Sequence, residues 1–526
     1  MSKVVSAEDA VSRIHDGATV AMSGIVMAGV PEEVATAIEK AFLDRGHPRD
    51  LTFVQAAGIG DWDKAGTSHF GHEGLAAKWI GGHVGTAPVM ARLIEQNGCQ
   101  GYFIPQGVGA QLFREIAAHR PGVITHVGLG TFVDPRLGGG RMNAVTKDDY
   151  VKLIEIEGSQ FLLYPSFPVD VALIRGTTAD ELGNVAMDEE ALLLGQLPLA
   201  QAAKNSGGIV IAQVKYLAEA ASLHPKHVRV PAPLVDYVVV ASSPHLHKQA
   251  AATVFDPALS GDIKGPGGSF TPLPMGPRLL ALRRAAMELV PGAVVNLGVG
   301  YPDGLGDVAD EEGVADMLTL TTEPGAVGGE PEPDLNFGTA RNAQALLEMH
   351  AMFDWYDGGG LDIAFLGLAQ ADQHGNVNVS QFSGQSVGPG GFINISQATP
   401  TLVYCGSFTA GGLQITVGDG QVRVVKEGRI KKFVADVEQI TFSGAEAARR
   451  GQKVCYVTER AVLELIGGRM TLTEIAPGVD LQHDVLAQME FAPDIAKPLR
   501  AMPADIFREK WGKLPAIMNA KRGGPY

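Results

Sequence analysis

The residues best suited to chemistry sit in a few glycine-rich stretches. The first is LTLTTEPGAVGG, residues 318–329, a β-branched run that ends at Glu323 and enters a turn. A carboxylate at the carboxyl end of a sheet strand stands where open α/β folds place their ligand crevices. Gly325, Gly328 and Gly329 leave room there for a ligand to approach the backbone. The second stretch, GVGYPDG at 298–304, follows an apolar strand, and its residues Gly298, Val299, Gly300, Tyr301 and Pro302 form a loop whose amides suit a phosphate or a pantetheine. It is not a dinucleotide fingerprint, because the third glycine of G-x-G-x-x-G belongs at Asp303 and stands instead at Gly304. Third, Asn376 in GNVNV and Gly390 and Gly391 in GPGGF supply an amide side chain and backbone donors, the groups that stabilise a developing oxyanion in acyl transfer. Asn376 equally suits a turn, since its counterpart Asn184 occurs where no acid accompanies it, and both roles stay open. His69, His72 and Glu73 in HFGHE lack the H-E-x-x-H spacing and a third recognisable ligand, so they read as local hydrogen-bonding groups and no metal is expected.

The elements that must position these groups come in two copies. Residues 170–187 and 362–379 align without gaps at an offset of 192 and match at seven of 18 positions, which composition alone does not explain. LTFVQAAG at 51–58 matches LTLTTEPG at 318–325 at an offset of 267, and GATV at 17–20 matches GAVV at 292–295. The chain therefore reads as two related halves in tandem. The offsets differ by 75 residues, which places an insertion of that size between Gly58 and Asp170 in the first half, around 69–85 and Gln106. The position equivalent to Glu323 in that half is Ala56, so one copy alone carries the acid. A join with four prolines and five glycines spans 260–277. It gives domains at 1–262 and 278–526 with a linker at 263–277. Apolar β-branched runs at 235–241, 294–297, 363–368 and 402–404 alternate with helical patterns at 31–42 and 278–289. The expected fold class is α/β, two tandem related open α/β domains with mainly parallel sheets. Ser6 with Asp9 resembles a capping box, and Pro31 before two glutamates suits a first helical turn.

Composition narrows the partners. At 526 residues the chain exceeds one ordinary core, and 45% hydrophobic residues exclude disorder as the main state. A net charge of −16 repels a polyanion, so no nucleic-acid partner is expected. The three cysteines, Cys99, Cys405 and Cys455, form no C-x-x-C pair, which fits a reducing cytoplasm. No stretch approaches the ~18 apolar residues of a membrane span, so neither a membrane nor an export signal is expected.

Taken together, TTEPGAVGG, LGVGYPDG, HGNVNVSQF, GPGGFINIS and the insertion GIGDWDKAGTSHFGHEGLAAKWIGGHVG resemble the family I coenzyme A transferases, in the fused single-chain form that includes acetate and propionate CoA-transferases. The resemblance covers residues 1–515 and implies an alpha-type first half and a beta-type second half. It also implies that Glu323 is a nucleophile passing through a covalent glutamyl-CoA thioester. Residues 298–302 would line the CoA pocket, Gly390 and Gly391 with Asn376 would stabilise oxyanions, and Gln106 in IPQGV would face the acyl substrate. Coenzyme A enters as substrate, with no permanently bound cofactor. The partners implied are acyl-CoA and short carboxylic acids, the assembly a homo-oligomer. Pro324 departs from the small residue that often follows the family's glutamate and should stiffen the loop. An acyl-CoA hydrolase or a non-catalytic CoA-binding protein on the same fold are the alternatives. Dependence of turnover on an acceptor separates the first, and retention of Glu323 with both glycine loops argues against the second.

Overall fold

The computed structural model describes residues 3–266 and 272–521, so residues 267–271 of the expected linker lie outside the described residues. The chain forms two compact units. The first comprises Met1–Pro266 with Thr322–Asp354 and Ser383–Asn394, and the second Gly267–Thr321, Trp355–Phe382 and Ile395–Tyr526. The segment carrying Glu323 thus packs with the first unit, although it lies in the second half of the sequence.

In the first unit β1 (Thr19–Met22), β2 (Leu51–Gln55), β3 (Ala76–Gly81), β4 (Gln100–Phe103), β5 (Val171–Arg175), β6 (Ile209–Val214) and β7 (Tyr237–Val240) form a seven-stranded sheet in the order β7-β6-β5-β1-β2-β3-β4. Every neighbouring pair is parallel. All five residues of β5, VALIR, are buried: four apolar side chains as in a strand covered on both faces, then Arg175 paired with Glu190. In the second unit β8 (Val294–Leu297), β9 (Thr319–Thr321), β10 (Ile363–Gly367), β11 (Thr401–Cys405), β12 (Lys453–Val457), β13 (Ala461–Ile466), β14 (Arg469–Ile475) and β15 (Asp494–Ala501) run in the order β9-β8-β10-β11-β12-β13-β14-β15. The strands from β9 to β12 are mutually parallel, and β13 and β14 continue the sheet antiparallel. The mixed α/β class with mainly parallel large sheets is as the sequence predicts.

Internal duplication is visible in hydrogen bonds. The carboxylate of Asp170 accepts from the Thr19 N–H at 2.8 Å, and that of Asp362 accepts from the Val294 N–H at 2.7 Å, each tying the start of one central strand to its neighbour. The insertion between Gly58 and Asp170 builds β3, β4 and the helices Pro88–Glu95 and Gln106–Ala117. It thereby extends the first sheet by two parallel strands. Helix starts follow local chemistry: the Ser6 hydroxyl accepts from the Asp9 N–H at 3.0 Å. The helix Glu32–Arg45 opens after Pro31 and closes at Gly46, whose φ of 69° suits glycine.

His69 and His72 act as hydrogen-bonding groups. His69 bridges Glu32 at 2.8 Å and Glu39 at 2.5 Å, while His72 reaches Glu39 at 2.7 Å. Together they pin the short helix Gly66–Phe70 to Glu32–Arg45. Burial works against the His69 charge, yet the hydrogen bonds and charges of Glu32 and Glu39 outweigh it and raise the pKa from 6.5 to about 9. A histidine whose pKa rises on folding stabilises fully below its unfolded value and loses that contribution as pH climbs through the folded value. Urea unfolding should therefore show stability falling between pH 6.5 and 9 by on the order of 3 kcal/mol at most. His69→Gln should flatten that part of the curve, and a wild-type curve as flat as the variant's would remove the protonated-histidine account.

Candidate active site

The chain leaves β9 at Thr321, and Glu323 lies in the turn that follows. Three hydrogen bonds fix this turn: Thr322 N–H to Ala326 O at 2.9 Å, Gly325 N–H to Thr322 O at 3.0 Å, and Thr322 Oγ1 to Gly338 O at 2.8 Å. Gly325 is required at its place. Its φ is +133°, and an added Cβ would come within 2.0 Å of the Leu347 carbonyl, which accepts no such approach. Leu347 N–H in turn donates to Gly325 O at 2.8 Å. Glu323 is buried, at 8% exposure. Pro324 packs beside Gly338, as does Ile25 from the loop after β1, so the departure from the family pattern serves as a packing contact.

The loops after β1 to β4 form the other wall. After β1, Val26 has a φ of 51°, a left-handed conformation that is a genuine outlier for a β-branched residue. It is held by its N–H on Gly58 O at 2.7 Å and by Gly60 N–H on its own carbonyl at 2.8 Å. After β3, Gly82 N–H reaches Ala56 O at 3.1 Å. The GPGGF segment is stitched onto these loops: Val84 N–H donates to Val387 O at 2.9 Å, Gly390 N–H to Gly82 O at 2.8 Å, and Gln106 N–H to Gly390 O at 3.0 Å. The Gly390 N–H is thus engaged by the Gly82 carbonyl. Gly391 is buried, and among the described residues its N–H meets no acceptor. Burial pulls the His83 pKa down, against a hydrogen bond with the Gly388 carbonyl at 3.4 Å, and keeps this imidazole neutral at pH 7.

Gln106 opens the helix Gln106–Ala117 at 2% exposure. Its Nε2 makes only a 3.9 Å contact with Met349 Sδ, and among the described residues its Oε1 accepts nothing. One short segment links it to the acid: Leu347 bonds Gly325, and two residues later Met349 meets Gln106. Glu323, Gln106, Gly390 and Gly391 thus belong to the first unit, while residues 298–302 and Asn376 belong to the second.

In the second unit the loop after β8 is closed by Gly298 N–H on Phe365 O at 2.8 Å and by Gly300 N–H on Asp303 Oδ2 at 3.2 Å. Gly300 takes a φ of +91°, and Val299 stands 60% exposed, open to a ligand. Arg278 donates to the Gly300 carbonyl at 2.9 Å and pairs with Asp303. Asn376 is a different matter. Its Nδ2 donates to Asp372 at 2.9 Å, and its Oδ1 accepts from Gly444 N–H at 3.0 Å. Asn184 repeats the pattern, with Nδ2 on Asp180 at 2.8 Å and Oδ1 accepting from Ala232 N–H at 2.9 Å. The side chain closes a turn found in both halves, the structural one of the two roles that the sequence leaves open. The shared Asp, ten residues into each copy of the repeated stretch and four before its asparagine, is a signal for this reading.

Two duplicated α/β units with a buried acid on a glycine-rich turn can be set beside proteins of known kind. A family model described as coenzyme A transferase matches residues 4–241. Caffeate CoA-transferase of Acetobacterium woodii is 49% identical over 523 residues, covering 98% of this chain and 100% of that protein. Acetate CoA-transferase YdiF of Escherichia coli K12 is 43% identical, covering 96% and 95%. A crystal structure of acyl-CoA transferase YdiF from E. coli O157:H7, a thioester complex with CoA, gives a TM-score of 0.90 at 42% identity and covers 97% of both chains. The chain belongs to the coenzyme A transferase family.

If the turn role of Asn376 is right, Asn376→Ala and Asn184→Ala should each lower stability by about 1–3 kcal/mol in urea unfolding. The folded Asn376→Ala protein should keep its ability to react with acyl-CoA. Full stability with abolished reaction would return Asn376 to catalysis.

Proposed function

We propose that this transferase moves CoA between a small acyl-CoA and a free carboxylate, with Glu323 as the covalent carrier. The Glu323 carboxylate attacks the thioester carbonyl, the carbon–sulfur bond breaks, and a mixed anhydride forms with release of CoA thiolate. The thiolate then attacks the glutamyl carbonyl and expels the first carboxylate, leaving a glutamyl-CoA thioester. An acceptor carboxylate runs both steps in reverse, so one difficult exchange becomes two easier ones. The observation that carries this reading is the buried Glu323 on a glycine-rich turn directly after a parallel strand. Gly391 N–H supplies the oxyanion donor, Gln106 faces the acyl group, and residues 298–302 line the CoA pocket.

The acids proposed are short monocarboxylates such as acetate and propionate. A second reading, an aryl-substituted acid, is favoured by the 49% identity to caffeate CoA-transferase. An acceptor screen with acetyl-CoA as donor, comparing acetate, propionate, succinate and a hydroxycinnamate by kcat/KM, decides between them. Succinate leading by tenfold would overturn both.

Intact-mass and peptide analysis after mixing with acyl-CoA alone should find the adduct on Glu323, and double-reciprocal plots should be parallel. An adduct elsewhere, or normal turnover by Glu323→Ala, would refute the mechanism. Exchange must also outrun hydrolysis, which requires excluding water and holding the acceptor near the glutamyl carbonyl. Gln106→Ala should raise the ratio of hydrolysis to transfer severalfold while adduct formation persists. Free CoA release with and without acetate measures this, and unchanged partitioning would remove Gln106 from the acyl site.

A further inference from the structure

The order of strands in the second unit locates a crevice. β8 comes first in the chain, with β9 on one flank and β10 on the other, so the connections leaving the carboxyl ends of β8 and β10 run in opposite directions. Ligands of open parallel sheets bind outside the strands' carboxyl ends at such a switch point. The loop after β8 is 298–302, and the residue after β10 is Leu368. One side chain stands over both. Lys432 Nζ donates to the Leu368 carbonyl at 2.8 Å and lies 5.8 Å from the centre of the Tyr301 ring. It also comes within 3.0 Å of where a Cβ on Gly406, the residue after β11, would be.

This ammonium is poorly compensated. Among the described residues it forms no ion pair, and the Leu368 carbonyl is its one hydrogen-bond acceptor, so two of its three N–H groups are unused. Arg278, the other cation at the loop, is already paired with Asp303. Glu459 is the carboxylate that acts on Lys432 electrostatically, but it is held by Arg460 at 2.7 Å and by the Phe408 N–H at 2.9 Å. Burial lowers the Lys432 pKa to about 8, with Glu459 opposing, as expected for a desolvated cation that lacks a close counter-ion.

We propose that Lys432 binds a phosphate group of CoA in the crevice between β8 and β10. The proposal rests on the reading of 298–302 as the CoA loop. It adds a charged anchor for the nucleotide end of the substrate, from a part of the sequence that carries no glycine motif.

The test compares ligands with and without phosphates. Calorimetry of the whole protein should show Lys432→Met weakening CoA about tenfold while leaving pantetheine binding unchanged, and Lys432→Arg recovering most of the loss. In steady state, KM for acyl-CoA should rise by a similar factor with kcat within twofold, and KM for acyl-pantetheine should not move. 3′-Dephospho-CoA separates the two sources: an equal penalty assigns the pyrophosphate, and a vanished penalty assigns the 3′-phosphate. Equal losses for CoA and pantetheine would reveal a merely structural lysine, and no loss for either would also overturn the proposal. Glutamyl adduct formation, read by intact mass, reports separately on Glu323. A wild-type protein that binds CoA through Lys432 yet forms no adduct would refute the carrier mechanism alone, and a normal adduct with indifferent Lys432→Met would refute the anchor alone.

Discussion

The site in the first unit depends on backbone meeting backbone more closely than any side chain allows. A Cβ on Gly82 would fall 2.3 Å from the Ala56 carbonyl, and one on Gly388 would fall 2.6 Å from the Gly82 carbonyl. Because both are glycine, residues 387–390 lie directly on the loops after β3 and β4, and the hydrogen bonds from Gly390 to Gly82 and from Gln106 to Gly390 form. Those bonds fix where the helix Gln106–Ala117 begins and hence where the Gln106 amide stands. Substituting either glycine would displace backbone rather than a flexible side-chain end, and the whole wall would move with it.

Duplication divides the labour between scaffold and chemistry. Asp170 and Asp362 bind the first N–H of a neighbouring strand, and the pairs Asp180 with Asn184 and Asp372 with Asn376 close the same turn in each half. These bonds stabilise a parallel sheet whatever the protein does, so both copies keep them. The acid is not shared: the buried Ala56 at the equivalent position carries no electrostatic cost of burial, whereas a carboxyl group at Glu323 does. An asymmetric pair at equivalent positions is therefore a better guide to function than any residue that both halves share.

That contrast explains how much was legible in the sequence. Apolar runs at 294–297 and 363–368 correspond to the strands Val294–Leu297 and Ile363–Gly367, because a parallel strand covered on both faces is mostly apolar along its length, the buried Asn296 being an exception. Glu323 was legible because glycines surround it and its counterpart is alanine. The allegiance of Thr322–Asp354 to the first unit was not, since it arises from contacts such as Leu194 with Met349, more than a hundred residues apart. Val26 gave no sign of its left-handed backbone, as nothing in GIVMAGVP marks that position, and its strain is sustained by Gly58 and Gly60. Lys432 was equally silent: one of two adjacent lysines in RIKKF, it gains meaning only from the strand order that brings it over β8 and β10.

On the proposed cycle no proton changes hands, and this sets what the protein must supply. Each step consumes one anion and produces one, carboxylate for thiolate or thiolate for carboxylate, so a single negative charge moves among the reacting groups throughout. Neutral donors that track this charge suffice, and the first unit offers them in the Gly391 N–H and the Gln106 amide. A general acid nearby would be harmful, because protonating the glutamate would quench it as a nucleophile. His83, whose burial disfavours the imidazolium, fits such surroundings, and His69, held protonated between two glutamates, has its proton occupied elsewhere in the scaffold.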